Sequence, residues 1–290
     1  MDEFEPRAMA RRSRTVTVAT TLDIRPIAGA LGAEIHGVDL AREPSDDTVA
    51  AIRQAFLNHL VVFFRDQTLS SAQFLAFARM IGTPMAYPFV KGLDGFPEIT
   101  AVVKRPDQTV AFGGNWHTDT TYFPEPPMAT MLIARDLPPR GGDTQYANQY
   151  LAYEALSDGM KTMLAGLRWV SRSDKAEASR TREDRATAER TVLIADHPVV
   201  RTHPETGRKS LYINLAHTAH FLGMTEAESM PLLRYLFQHQ VRPEFTCRFR
   251  WAPGSVALWD NRCTLHAAIN DYNGFRREMW RITLVGDVPV

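Results

Sequence analysis

Apolar positions along this chain keep a helical period up to Gly82 and a strand-like one through most of the remaining sequence. Val49, Ile52, Phe56 and Leu60 recur at helical spacing behind Ser45-Asp46-Asp47, a helix-start signal, and a short strand from Leu60 to Phe64 comes next. Ser70 with Gln73 forms a capping-box pattern; Phe74, Phe77 and Ile81 give the next helix its apolar face, and Gly82 ends it. Beyond it come short β-rich runs: Ile99–Val103, Thr130–Ile133, Thr144–Ala147, Val199–Thr202, Leu211–Asn214, Phe245–Trp251, Val256–Trp259 and Trp280–Val285. Pro138-Pro139, Gly141-Gly142 and Pro253-Gly254 punctuate them. One late helix is expected where Thr225 and Glu228 make a second capping box ahead of Leu232, Leu233 and Leu236. Many short strands with a few flanking helices predict a mainly β fold, a double-stranded β-helix or distorted jelly roll with helical insertions.

Residues 1–20 carry no hydrophobic period and read as a flexible tail; 21–290 read as one domain, without repeat or linker. The run from Arg172 to Arg190 is dense in charge. It is either a solvated helix or loop, or a lid over an active site near residues 172–195. With 33 basic and 33 acidic residues the chain has no bulk bias toward nucleic acid or an anionic membrane, and neither partner is expected. Two cysteines, no apolar run of bilayer length and an acidic N-terminus without an apolar h-region point to a reducing cytoplasm. Homo-oligomerisation is left open.

Candidate chemistry begins at Trp116-His117-Thr118-Asp119. Side chains two apart in an extended strand share a face, so His117 and Asp119 could hold one ion, although a lone His-x-Asp is a weak signal. The segment Trp259-Asp260-Asn261-Arg262-Cys263-Thr264-Leu265-His266 adds a distant histidine, and Arg277 lies eleven residues after it. Two histidines and a carboxylate make the facial triad of non-haem Fe(II) oxygenases, and an arginine suits the carboxylate of a bound oxo-acid.

From here the chain resembles a known family, the taurine dioxygenase family of Fe(II)/2-oxoglutarate oxygenases. The resemblance runs from about Leu22 to Asp287. It rests on Leu31-Gly32-Ala33-Glu34-Ile35, Gly37-Val38-Asp39-Leu40, Asn115-Trp116-His117-Thr118-Asp119, Gly141-Gly142-Asp143-Thr144, Trp259-Asp260-Asn261-Arg262, His266 and Arg276-Arg277. It implies a distorted jelly roll with iron at its mouth and His117, Asp119 and His266 as ligands. It implies Thr144 and Arg277 at the distal carboxylate of 2-oxoglutarate, and Arg281 at an acidic group of the substrate. Each residue also has a structural reading: Thr144 an ordinary strand threonine, Arg277 a surface cation, Arg281 the partner of a core or interface carboxylate. Asp260 is expected to brace the turn before His266. His36, His59, His197, His203, His220 and His239 are core or surface residues by default, and His217 is kept as a pocket residue.

The resemblance further implies oxidative decarboxylation of 2-oxoglutarate with O2 to succinate and carbon dioxide, coupled to hydroxylation of a C–H bond. Halogenating relatives lack the metal carboxylate, so Asp119 favours hydroxylation. Tyr87, Phe89, Val90, Tyr122, Phe123 and Met128 predict an apolar, aromatic pocket for a small anionic organic substrate. The taurine branch has a histidine near the position of Tyr87, so taurine itself is not expected. Thr202-His203-Pro204, Gly207-Arg208-Lys209 and Phe245-Thr246-Cys247-Arg248 look closer to the aryloxyalkanoate dioxygenases. An aryloxyalkanoate or other carboxylate is the first expectation and a sulfonate or alkyl sulfate the second. A non-catalytic binding module and a zinc hydrolase on the same triad are the rivals from other classes.

Overall fold

The computed structural model describes residues 22–175 and 191–290. The expected tail, residues 1–20, and residues 176–190 of the expected lid lie outside the described residues. The lid's two ends are described: strands Arg168–Arg172 and Ile194–Pro198 pair antiparallel with Arg172 opposite Ile194.

The fold is mainly β, a distorted jelly roll of mixed, open sheets. Its large sheet runs Asp23–Pro26, Ala33–His36, Val61–Phe64, Val256–Asp260, Ala129–Asp136, Arg277–Leu284 and Pro84–Met85, and Thr100–Lys104 also pairs with Arg277–Leu284. Among the described residues, only Ala33–His36 against Val61–Phe64 is parallel. A smaller sheet orders Thr246–Phe249, Thr144–Asn148 and Thr264–Ala268. A third joins Thr218–Phe221, Arg168–Arg172 and Ile194–Pro198.

The central strands are buried on both faces, so their apolar runs are continuous and the two faces alternate. Val62, Phe64, Met131, Ile133, Val256, Leu258, Ile282 and Leu284 face one cluster, completed by Ile52 and Phe56 of α1 (Asp46–His59) and Phe74 and Phe77 of α2 (Ser71–Ile81). Val61, Phe63, Ala257, Trp259 and Met279 face the other, packed on Tyr146 and Phe249 of the smaller sheet. A cavity opens beside this second cluster and shares Trp259 and Met279 with it.

The three expected helices form, two with the expected capping boxes. Ser45 accepts from the Thr48 N–H at the head of α1. Leu60, read both as helix face and as strand start, is neither: it is the helix cap, at φ 65°, with its N–H bonded to Phe56 O. Gly82 does end α2, but extended, at φ −174°. Space is tight there: a Cβ would lie 3.0 Å from Met128 Cε and 3.3 Å from Leu284 Cδ1, so these side-chain ends would have to give by a few tenths of an ångström. The run expected at Leu211–Asn214 is displaced, the strand being Lys209–Leu211 with only Leu211 in common, and Phe245–Trp251 shrinks to Thr246–Phe249. No helix among the described residues is long and apolar enough to cross a membrane.

Candidate metal centre

His117 does not sit in a strand. It forms a single antiparallel bridge with His266, whose own strand is Thr264–Ala268, and each backbone N–H bonds the other's carbonyl, at 3.0 and 2.9 Å. A bridge of this kind sets two side chains on one face, and the imidazole centroids lie 4.1 Å apart. The chain then turns. Thr120, next after Asp119, takes φ 45°, an uncommon place for a β-branched residue. The ligand atoms of His117, Asp119 and His266 all lie within 4.8 Å of one another.

Both His Nε2 atoms face Asp119 Oδ1, at 3.7 and 3.8 Å. His117 Nδ1 lies 2.7 Å from Asn115 O, so that nitrogen carries the proton and Nε2 keeps its lone pair. Burial pushes both imidazoles below their ordinary range, which keeps them neutral and able to ligate. Asp119 stays below the usual carboxylate range: burial pushes it up, but the Arg281 guanidinium, the two imidazoles and the Thr130 hydrogen bond outweigh that.

A cavity of about 450 Å³, its open mouth included, joins this cluster to Arg277 and Arg281, with Thr144, Val102, Phe112, Leu132, Trp259, Ala268 and Met279 among its walls. Both arginines project from Arg277–Leu284 and are buried. Arg277 Nε and Nη2 have no hydrogen-bond partner. Its stem packs on Gly142, at φ 72°, where a Cβ would come within 3.2 Å of Arg277 Cδ and Nε. Thr144 Oγ1 accepts from Trp251 Nε1 at 3.0 Å, which leaves its own hydrogen to donate. Arg281 already has a carboxylate: Nη2 lies 2.8 Å from Asp119 Oδ1.

Tyr87, Tyr122 and His217 are not among the residues lining this cavity but border it. The Arg281 guanidinium sits 5.5 Å over the Tyr87 ring, Tyr87 Oη is 3.1 Å from Tyr122 Oη, and the His217 ring lies 5.1 Å from Tyr122 and 6.4 Å from His117. Two functional candidates escaped the sequence reading. Trp251 orients Thr144. Lys104 is the direct cross-strand partner of Arg277; it is buried, its Nζ has no hydrogen-bond partner, and it lies 4.6 Å over the Tyr272 ring that Arg277 also approaches. Only the pairing register, which no spacing reveals, could have found it.

A second cluster, His203, Asp260 and Cys263, is close enough to hold a metal but is saturated. His203 Nδ1 accepts from the N–H groups of Glu205 and Thr206, and its Nε2 donates to Asp260 at 3.0 Å. Asp260 also takes Nε and Nη2 of Arg262 and its backbone N–H, bracing the turn before His266 as expected.

A neutral two-histidine, one-carboxylate cluster with a buried guanidinium in the same cavity, two of its nitrogens unpartnered, fits Fe(II) and an oxo-acid together, and this defines a class: the 2-oxoglutarate-dependent non-haem iron dioxygenases. Within it, residues 23–283 match the family described as "Taurine catabolism dioxygenase TauD, TfdA family", and the chain belongs to that family. It is 37% identical to an alpha-ketoglutarate-dependent sulfate ester dioxygenase of Pseudomonas putida, over 95% of this chain and 93% of that protein. It is 32% identical to the alpha-ketoglutarate-dependent 2,4-dichlorophenoxyacetate dioxygenase of Cupriavidus pinatubonensis, over 91% and 98%. Among solved structures, a taurine dioxygenase from Burkholderia xenovorans superposes with a TM-score of 0.80 at 42% identity, covering 93% of this chain and 91% of that one. The chain is an enzyme that uses Fe(II), 2-oxoglutarate and O2.

Proposed function

We propose that this dioxygenase hydroxylates a small organic sulfate ester at the carbon bearing the ester oxygen. The observation that carries an anionic substrate is the charge of the cavity: two buried arginines against one carboxylate. A buried guanidinium needs an anion. 2-Oxoglutarate accounts for Arg277, and a second acid group accounts for Arg281. The sulfate ester is preferred over the first expectation, an aryloxyalkanoate, because the sulfate ester dioxygenase of Pseudomonas putida is more similar to this chain than the dichlorophenoxyacetate dioxygenase is.

In this reading His117 Nε2, His266 Nε2 and Asp119 Oδ1 hold the iron. Arg277 and the Thr144 hydroxyl receive the distal carboxylate of 2-oxoglutarate, and Lys104 adds positive charge beside them. When bound, the iron with 2-oxoglutarate and O2 supplies the oxidising power, and the cosubstrate leaves as succinate and carbon dioxide. The chain's own groups place the substrate. Arg281, 2.8 Å from Asp119 Oδ1, would be the residue to hold the substrate's sulfate where that oxygen serves a bound cation. Val102, Leu132 and Met279 exclude water around the reacting carbon. A hydroxyl placed there gives a product that collapses: its O–H proton and the O–sulfate group leave together as hydrogen sulfate, and an aldehyde carbonyl forms.

The aryloxyalkanoate reading keeps one observation in its favour. Phe89 stacks parallel to Phe123 with centroids 6.0 Å apart, and Tyr87 and Tyr122 meet Phe89 edge-on, an aromatic wall suited to an aryl ring. The test is product release with Fe(II), 2-oxoglutarate and air. A medium-chain alkyl sulfate should give succinate and inorganic sulfate in equal amounts. Coupled succinate from an aryloxyalkanoate, with no sulfate from any alkyl sulfate, would transfer the assignment to the second reading. Sulfate release without oxygen or 2-oxoglutarate would sink both in favour of a hydrolase.

A further inference from the structure

The two oxygens of Asp119 live in different surroundings. Oδ1 faces both His Nε2 atoms and Arg281 Nη2. Oδ2 is 2.6 Å from Thr130 Oγ1. Behind Thr130 the contacts continue: Asn261 Nδ2 lies 2.9 Å from Thr130 Oγ1, and Trp259 Nε1 lies 3.0 Å from Asn261 Oδ1. Thr130, Asn261 and Trp259 are buried to 1% exposure or less, so no bulk water can substitute for any link.

Hydrogen counting fixes the direction of this chain. An indole N–H can only donate, so Asn261 must present its carbonyl oxygen to Trp259 and its amide nitrogen to Thr130. An amide N–H₂ can only donate as well, so Thr130 Oγ1 accepts there. The one hydroxyl hydrogen of Thr130 is then left for Asp119 Oδ2, which as a carboxylate can only accept. Trp259 in turn is anchored against His266, with ring centroids 4.6 Å apart.

We propose that Trp259, Asn261 and Thr130 form a one-way hydrogen-bond relay that positions Asp119, engaging Oδ2 so that Oδ1 alone is offered to the metal. The proposal rests on the reading of Asp119 as a metal ligand and goes beyond it, since it gives three residues that touch no substrate or metal a part in setting the centre. It also gives the Trp259-Asp260-Asn261 segment two separate tasks: Asp260 braces the turn to His266, while its two neighbours act on the carboxylate ligand from another part of the chain.

The experiment titrates the metal-free protein anaerobically with Fe(II) alone, by calorimetry, and with Co(II), whose visible ligand-field bands report coordination. Thr130→Val keeps the shape and removes the hydroxyl; it should weaken Fe(II) binding roughly 10- to 100-fold and alter the Co(II) bands. Thr130→Ser keeps the hydroxyl and should return both to near wild type. Asn261→Asp should copy Thr130→Val, because a carboxylate at 261 accepts from Thr130 and draws its hydrogen away from Asp119. Wild-type Fe(II) affinity and Co(II) bands in Thr130→Val overturn the relay, whatever happens to Asn261→Asp. Asp119→Ala is the separating control. If it loses Fe(II) while Thr130→Val does not, the relay fails and the ligand reading stands; if Asp119→Ala binds Fe(II) like the wild type, the ligand reading itself fails.

Discussion

Arg281 Nη2 lies 2.8 Å from Asp119 Oδ1, the same oxygen that faces the two histidine Nε2 atoms. The guanidinium thus lies against the carboxylate oxygen that a cation at this cluster would also draw. Both partners are buried, so removing either leaves the other without a counter-charge, which typically costs roughly 3–5 kcal/mol. Asp119→Asn and Arg281→Gln should each lower the unfolding free energy of the metal-free protein in urea. The double variant should lose clearly less than the two together, with a coupling of roughly 1–3 kcal/mol. Additive losses would mean that the contact carries no energy.

The same pair shapes the substrate prediction. If the metal competes for Oδ1, Arg281 becomes available to an acid group in the loaded enzyme. Arg281→Gln should then raise the KM of the anionic substrate, leave that of 2-oxoglutarate near its original value, and favour neutral esters over the parent acids. A large change in 2-oxoglutarate affinity with unchanged acid preference would assign both arginines to the cosubstrate.

The sequence made the mainly β character and three helices legible because their signals are local: capping boxes at Ser70 and Thr225, and period-three-to-four apolar faces. It missed the hairpin Asp23–Pro26 with Ala33–His36, whose first strand is largely exposed and carries no alternation. It missed helices Gln149–Glu154 and Asp158–Leu164, too short to display a period, and strands Arg168–Arg172, Ile194–Pro198, Thr218–Phe221 and Thr264–Ala268. His117 and Asp119 were paired on the assumption of a strand; they do meet, at 3.7 Å, but His117 sits in a single bridge to His266 and not in a strand. The Arg281–Asp119 contact and the closeness of Lys104 to Arg277 depend on tertiary geometry and register, which spacing along one chain does not encode.

Arg277 keeps two unpartnered nitrogens beside the cavity, and its stem packs against the space left by the missing side chain at Gly142. Arg277→Leu should raise the 2-oxoglutarate KM on the order of 30-fold or more, the effect of losing roughly 2–5 kcal/mol from a buried ion pair. Gly142→Ala should weaken the cosubstrate too, because the new Cβ would displace the Arg277 stem. An unchanged KM in Arg277→Leu would hand the carboxylate to another residue.

His197 gives the fold a pH dependence. It is buried, its Nε2 donates to Thr121 O at 2.6 Å, and burial pushes its pKa down to about 4, with the Thr121 carbonyl opposing. An unfolded histidine titrates near 6.5. Above about 6.5 both states are neutral and the full stability is present. Between 6.5 and 4 the unfolded chain takes up a proton that the folded one refuses, so stability falls as pH drops, on the order of 3 kcal/mol across the window. His197→Gln keeps an N–H donor and cannot titrate. The difference in unfolding free energy between wild type and variant, measured without metal, should shrink from pH 7 to pH 4. A constant difference would show that His197 titrates alike in both states.

Lys104 separates stability from binding. Its Nζ is buried with no hydrogen-bond partner, and across the strand pair it faces another cation whose Nε and Nη2 are equally unpartnered. In the protein without cosubstrate this arrangement is unfavourable: two like charges approach the desolvated Tyr272 ring, and the faces of Tyr272 and Trp251 and the Tyr272 oxygen that accepts from the Arg277 guanidinium compensate them in part. A bound dicarboxylate would reverse the sign by placing negative charge where these cations converge. Lys104→Met keeps the length and the packing on Tyr272 and removes the charge. It should leave the cosubstrate-free protein as stable as the wild type or more so by thermal unfolding, and raise the dissociation constant of 2-oxoglutarate several-fold in an anaerobic Fe(II) titration read by its charge-transfer absorbance. A purely structural lysine would show the opposite pair of results: a lower melting temperature and unchanged 2-oxoglutarate affinity.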